Sequence, residues 1–185
     1  MLGIDLVREQ IRVARGERLP PGGFGAPRGH ALEFRINAED PLKNFMPAPR
    51  RIQRYVPPAG PGVRVDGGIR PHQDVSPHFD SLLLKLVVWA ADREAAIGRG
   101  RRALDEMILT GPKTTAPFHR ALLDEPDFIE GKISTSFIQE HPQLLERTRV
   151  FAERTSPLES LYGGGEVAAA IAAGVVLAGE PKPSG

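Results

Sequence analysis

The sequence predicts an α+β domain: a mainly antiparallel sheet with helices packed on it. Three observations carry this expectation. Residues 30–38 alternate apolar Leu32, Phe34, Ile36 and Ala38 with polar Glu33, Arg35, Asn37 and Glu39, the period of a strand with one packed face. Residues 80–90, DSLLLKLVVWA, form the most apolar run. Helical periodicity then follows at 92–109 and 115–124, and strands first with helices later is the order of a segregated α+β fold.

The elements follow in chain order. Residues 2–15 read as an amphipathic helix, with Ile4, Val7, Ile11 and Ala14 at three- and four-residue steps and Gly16 as its stop. ERLPPGGFGAPRG is a loop by its Pro and Gly content. After the 30–38 strand, Ile52–Val56 reads as a short second strand ended by Pro57 and Pro58, and Val63–Val65 begins a third, ended by DGG. The 80–90 run reads as a central strand buried on both faces. Asp92 is placed to cap the 92–109 helix, with Ala96, Leu104, Met107 and Ile108 inward and Gly111-Pro112 beyond it. A short helix fits 134–140, capped by Ser134 and ended by Pro142. These segments divide the chain into a lead-in helix at 1–19, a domain at 28–142 and a tail or linker at 143–185, whose Gly triplet, Ala runs and Pro favour a flexible segment over a docked helix.

Composition narrows the function classes. The 185 residues are 41% hydrophobic and 25% charged, enough for a packed core, while 20 Gly and 18 Pro imply many turns. A net charge of +1 supports neither nucleic acid nor a membrane surface as partner. The absence of Cys excludes thiolate chemistry and disulfides and is compatible with a cytoplasmic protein. No secretory signal is visible at the N-terminus, and the Ala/Gly-rich stretch Val167 to Ala178 is too short to span a bilayer.

Phosphate loops are not evident. GGFG lacks the second half of a dinucleotide fingerprint, and GPKTT and GKIS lack the lead of a phosphate loop. No metal is expected: the five His show no ligand spacing, and the densest group, His72, Asp74, His78 and Asp80, reads as a solvated loop. Two basic residues stand out. Arg64, between Val63 and Val65, is either a solvent-face residue covering apolar surface with its stem or a fixed fork for an oxyanion. Lys85 interrupts LLLKLVV, and a buried Lys needs a carboxylate, for which Glu33 and Asp80 are candidates; a structural ion pair is favoured over a catalytic Lys.

RGHALEFRINAEDP, FMPAPRRIQRY, GVRVD and HFDSLLLKL, in this order and spacing, resemble the C-terminal subdomain of biotin carboxylase, the ATP-dependent component of acetyl-CoA, propionyl-CoA and pyruvate carboxylases. GIDLVREQIRVARGERL resembles the helix that leads in from the preceding ATP-grasp region, and TGPKTTAPFHRALLDEPDFIEGKISTSFI the helical end of the subdomain. The likeness covers about residues 2–142. It implies a ligase that uses ATP and bicarbonate, with magnesium, to carboxylate biotin on a carrier protein, in pathways such as fatty acid metabolism. Arg64 matches the catalytic Arg thought to stabilise the biotin anion, and Thr135 and Ser136 match a minor contribution to the adenine pocket. Phe79 stands where many relatives carry Tyr. The implied partners are the ATP-grasp portion, the biotin carboxyl carrier protein, the carboxyltransferase and a second copy in a homodimer. The glycine-rich lid, the nucleotide lysines, the magnesium carboxylates and the NxRxQVEH segment of the family have no counterpart in these 185 residues. The chain alone is therefore expected to bind no cofactor tightly and to be inactive. The competing expectation is a non-catalytic interaction or dimerisation module of a carboxylase complex; the spacing from RINAEDP to GVR argues against another ATP-grasp ligase.

Overall fold

The structure is a computed structural model that describes the backbone of residues 2–162 and side chains through residue 154. The α+β expectation holds. Helix α1 (Leu6–Ala14) is followed by β1 (His30–Asn37), β2 (Glu39–Asp40), β3 (Met46–Pro47), β4 (Arg54–Val56), β5 (Val63–Gly67) and β6 (Leu82–Ala90). Then come α2 (Arg93–Glu106), β7 (Ile108–Thr110), α3 (Ala116–Leu122), α4 (Pro126–Ile129), α5 (Phe137–Glu140) and α6 (Gln143–Tyr162). The main sheet has the order β1-β6-β5 and is antiparallel throughout, and β2–β3 and β4–β7 form two small antiparallel pairs.

Alternation decides which residues of the main sheet are inside. Phe34 and Ile36 of β1, Leu84, Leu86 and Val88 of β6, and Val63 and Val65 of β5 face one side, where Ile97, Ala103 and Leu104 of α2, Met107 and Leu123 close the core. Helix α2 approaches closely at Gly100: a Cβ there would lie 3.0 Å from Cζ of Phe34. Asp92 caps α2 as expected, accepting from the Ala95 amide at 2.8 Å.

Four sequence expectations change. Strand β6 is central, but it is not buried on both faces: Lys85 and Val87 are only half-buried and Trp89 is exposed, because helices cover only the inner face. The 92–109 helix ends at Glu106, and Ile108 pairs with Val56 in a two-stranded ladder; Gly111, at φ +112°, turns the chain immediately afterwards, against the Arg51 carbonyl. Residues 143–162 form helix α6, which packs on α3 with Leu144 and Thr148 fully buried, in place of a flexible tail; the burial of these two side chains outweighs local propensity. Helix α5 also begins at Phe137, later than expected, and Ser134 does not cap it. Val167 to Ala178 lies outside the described residues.

A bulge between Ile36 and Asn37 interrupts the β1–β6 register. Thr115, 5% exposed, fills the gap: its hydroxyl donates to the Arg35 carbonyl at 2.9 Å and accepts from the Asn37 amide at 3.1 Å, while its own amide donates to the Asn37 carbonyl at 3.2 Å. These bonds fasten the start of α3 to the sheet and satisfy the backbone groups that the bulge releases.

Leu86 is fully buried at the centre of the inner face. Leu86→Ala is expected to cost about 2–5 kcal/mol, the range for truncating a core leucine, read as a shifted midpoint in urea unfolding.

Candidate functional site

The outer face of the main sheet carries charge. Glu33 and Arg35 come from β1, Lys85 from β6, and Arg64 and Asp66 from β5. The register makes this a lattice: Lys85 lies opposite Arg35 on one side and opposite Asp66 on the other. Two like charges directly opposite are unfavourable, and the acids offset this. Lys85 Nζ reaches Glu33 Oε1 diagonally at 3.7 Å, and Arg64 Nε donates to Asp66 Oδ2 at 3.1 Å.

The expected Lys85 partner is thus Glu33, but the pair is not buried. The two side chains are 38% and 47% exposed, because no element covers this face among the described residues. Asp80 does something else: its carboxylate accepts from the Leu82 amide at 2.7 Å and shapes the entry of β6.

Arg64 occupies the outward position between inward Val63 and Val65, and its side chain is 70% exposed. Strand alternation supplies the position, and Asp66, two residues on, supplies an acceptor that holds the guanidinium at one edge while leaving other donors open. Phe79, 82% exposed, stands in the loop before β6.

Thr135 and Ser136 are on a different part of the fold. They lie in the turn between α4 and α5, on the helix-covered side of the sheet, next to the small core of Phe118, Phe137 and Leu144. The Ser136 hydroxyl donates to Glu140 and lies 3.1 Å from the Ser134 hydroxyl, and Thr135 is exposed. The described residues therefore do not bring Arg64 together with Thr135 and Ser136.

The segment carrying Thr135 and Ser136 is held by His141. Its Nδ1 lies 2.8 Å from the Phe137 carbonyl and its Nε2 3.0 Å from Asp127 Oδ2, and its ring stacks on Phe137 at 4.1 Å. Both ring nitrogens face acceptors, so only the imidazolium donates to both. Its pKa is raised from 6.5, first by the Phe137 carbonyl and then by Asp127; the Asp127 carboxyl is lowered, chiefly by the hydrogen bond from His141. His119 behaves oppositely: burial against Phe34 and Phe118 lowers its pKa, partly countered by the Arg35 carbonyl at 2.9 Å. Sequence pattern singles out neither histidine, since their partners are carbonyls and a carboxylate 4 to 84 positions away.

Among the described residues no three of His, Asp and Glu gather to hold a metal. His78 and Asp80 are exposed, and Asp74 bridges its backbone to Arg51. No described helix is long and apolar enough to cross a membrane.

An antiparallel sheet with helices on one side is a fold this chain shares with solved biotin carboxylase domains. The biotin carboxylase C-terminal domain profile matches residues 33–140, and the chain belongs to that family. It is 51% identical over 139 residues to a biotin carboxylase of Nostoc sp., covering 75% of this chain and 31% of that protein. It is 44% identical over 138 residues to a biotin carboxylase of Bacillus subtilis, covering 74% of this chain and 31% of that one. The biotin carboxylase domain of 2-oxoglutarate carboxylase from Hydrogenobacter thermophilus, solved as a dimer with MgADP, ADP and bicarbonate, superimposes with a TM-score of 0.71 at 41% identity, over 77% of this chain and 32% of that one. The chain thus spans about a third of the length of these relatives.

Two outcomes test the geometry. Lys85→Met is expected to change stability by less than about 1 kcal/mol in denaturant titration, since half-exposed ion pairs contribute little. His141, with a raised folded pKa, adds stability that is complete below 6.5 and fades as pH rises through the folded value. The thermal midpoint should therefore decline above pH 6.5, and His141→Gln should flatten that decline.

Proposed function

We propose that this chain forms one wall of the active site of a biotin carboxylase, a ligase that uses ATP and bicarbonate to carboxylate biotin on a carrier protein. The observation that carries the reading is Arg64: a permanently charged fork standing exposed on the open face of the sheet, held at one edge by Asp66. A guanidinium in that position suits the negative charge that develops on the ureido oxygen when the biotin nitrogen loses its proton. Its exposed donors fit such a group without rearrangement of the sheet.

The charged outer face then abuts an ATP-grasp portion, which supplies the phosphate cradle. The exposed apolar side chains of α1, Leu6, Val7 and Ile11, support the same arrangement, because α1 buries none of its own residues. Thr135, exposed, and Ser136, half-buried, contribute hydroxyls to the edge of the adenine pocket in this reading. ATP supplies the phosphoryl group that activates bicarbonate. The described residues do not fit a divalent ion, and no step is assigned to a metal within this chain.

The carrier protein delivers biotin, and a carboxyltransferase takes the carboxyl group onward to an acyl-CoA or a keto acid. A second copy of the chain is a further partner, in line with the dimeric Hydrogenobacter domain. The reading places the protein in the cytoplasm, in metabolism of the fatty acid type.

Fixation of radiolabelled bicarbonate on free biotin tests the proposal. The 185-residue chain alone should give none. Mixed with an ATP-grasp fragment of a relative it should give turnover, and Arg64→Ala should lower that turnover by about 10²–10³-fold, as loss of one oxyanion-stabilising donor does. Fixation by the chain alone, or an inert Arg64 in the reassembled enzyme, would refute the reading.

A further inference from the structure

The chain between α4 and α5 is wound in two halves. The first turns back on α4: the Gly131 amide donates to the Phe128 carbonyl at 3.1 Å and the Lys132 amide to the Asp127 carbonyl at 2.8 Å. The second winds into α5: the Phe137 amide donates to the Ser134 carbonyl at 3.3 Å and the Glu140 amide to the Ser136 carbonyl at 3.0 Å. Thr135 and Ser136 belong to the second half. An aromatic contact and a polar one join the halves. The rings of Phe128 and Phe137 meet edge to face at 6.4 Å, a contact that tolerates sliding. His141, stacked on Phe137, reaches back to Asp127 of α4 at 3.0 Å, and that bond is directional.

We propose that His141 is a positioning residue for nucleotide binding: it fixes the half of the loop that carries Thr135 and Ser136 against α4, and thereby sets where their hydroxyls stand. This rests on the reading above that the two hydroxyls edge the adenine pocket.

The bridge depends on a proton. Both ring nitrogens face acceptors, the Phe137 carbonyl and Asp127, so loss of the proton leaves a lone pair against an oxygen and removes one bond. The surroundings hold that proton. Asp127 faces the ring from α4, Glu125 lies just before α4, and Glu140 is its neighbour on α5. The nearby cations are themselves matched with acids: Arg147 of α6 reaches Glu125 at 3.0 Å, and Lys132 lies 3.7 Å from Asp127 and pairs with Glu130. The pKa of His141 is accordingly raised from 6.5, the Phe137 carbonyl foremost. One net hydrogen bond corresponds to about two- to tenfold in an equilibrium, so nucleotide should bind that much more weakly once His141 is neutral.

Two measurements test this. In the 185-residue chain, an NMR titration should move the Thr135 and Ser136 amide shifts with the same midpoint as the His141 ring. Asp127→Asn keeps an acceptor for the ring but removes the charge, and should carry both midpoints to lower pH together. In the enzyme reassembled with an ATP-grasp fragment, KM for ATP in His141→Gln should exceed that of the unaltered chain by about two- to tenfold below the midpoint and match it above, with kcat unchanged at each pH. A purely structural role would show no such convergence. Amides that ignore the His141 titration overturn the proposal without reference to ATP. A KM that responds to the double variant Thr135→Val, Ser136→Ala but not to His141→Gln overturns it and leaves the adenine reading standing. A KM indifferent to both sets of changes overturns both.

Discussion

The antiparallel pairing of β1 with β6 is the constraint on which the rest depends. It runs from His30 opposite Ala90 to Asn37 opposite Leu82, with one bulge. Because side chains alternate, this register puts Phe34, Ile36, Leu84, Leu86 and Val88 under α2 and leaves Glu33, Arg35 and Lys85 outside. A slip of one residue would reverse both faces at once, burying three charges and exposing the core. Strand β5 then adds to the other edge of β6, and the same alternation fixes Arg64 outward.

The bulge between Ile36 and Asn37 has a second role. By releasing backbone groups at Arg35 and Asn37, it creates the bonding positions that Thr115 and His119 occupy. The helical layer is thereby tied to the sheet by hydrogen bonds as well as by apolar contact. Behind it, α4, α5 and α6 form a satellite around Phe118, Phe137 and Leu144, joined internally by the Asp127–His141 pair and by Arg147, which reaches the buried Glu125 at 3.0 Å. The two proposed site regions thus rest on different supports: Arg64 on the sheet, Thr135 and Ser136 on the satellite.

The electrostatics of the outer face follow from its openness. Its ion pairs are half-exposed, so they contribute little to folding, and the donors of Arg64 stay accessible. A face arranged in this way serves recognition better than stability. The exposed apolar residues of α1 point the same way, since a helix that buries none of its own residues gains nothing from packing within the described fold.

By itself the sequence determined the strand alternation at 30–38, the Asp92 cap, the order of strands before helices, and the spacing of RINAEDP, GVR and DSLLLKL that marks the family. These are local patterns, set by side-chain period and backbone chemistry within a few residues. Glu33 was legible as a partner for Lys85 because both break apolar alternation on polar faces. The tertiary structure alone decided that this pair is open, since burial depends on what covers the face and β6 reads as equally apolar either way. It also decided that Ile108–Thr110 leaves the helix to pair with β4, that α6 docks through Leu144 and Thr148, and that His141 is held between Phe137 and Asp127. Each of these rests on a partner distant in sequence or on a surface that exists only once the sheet has closed over α2.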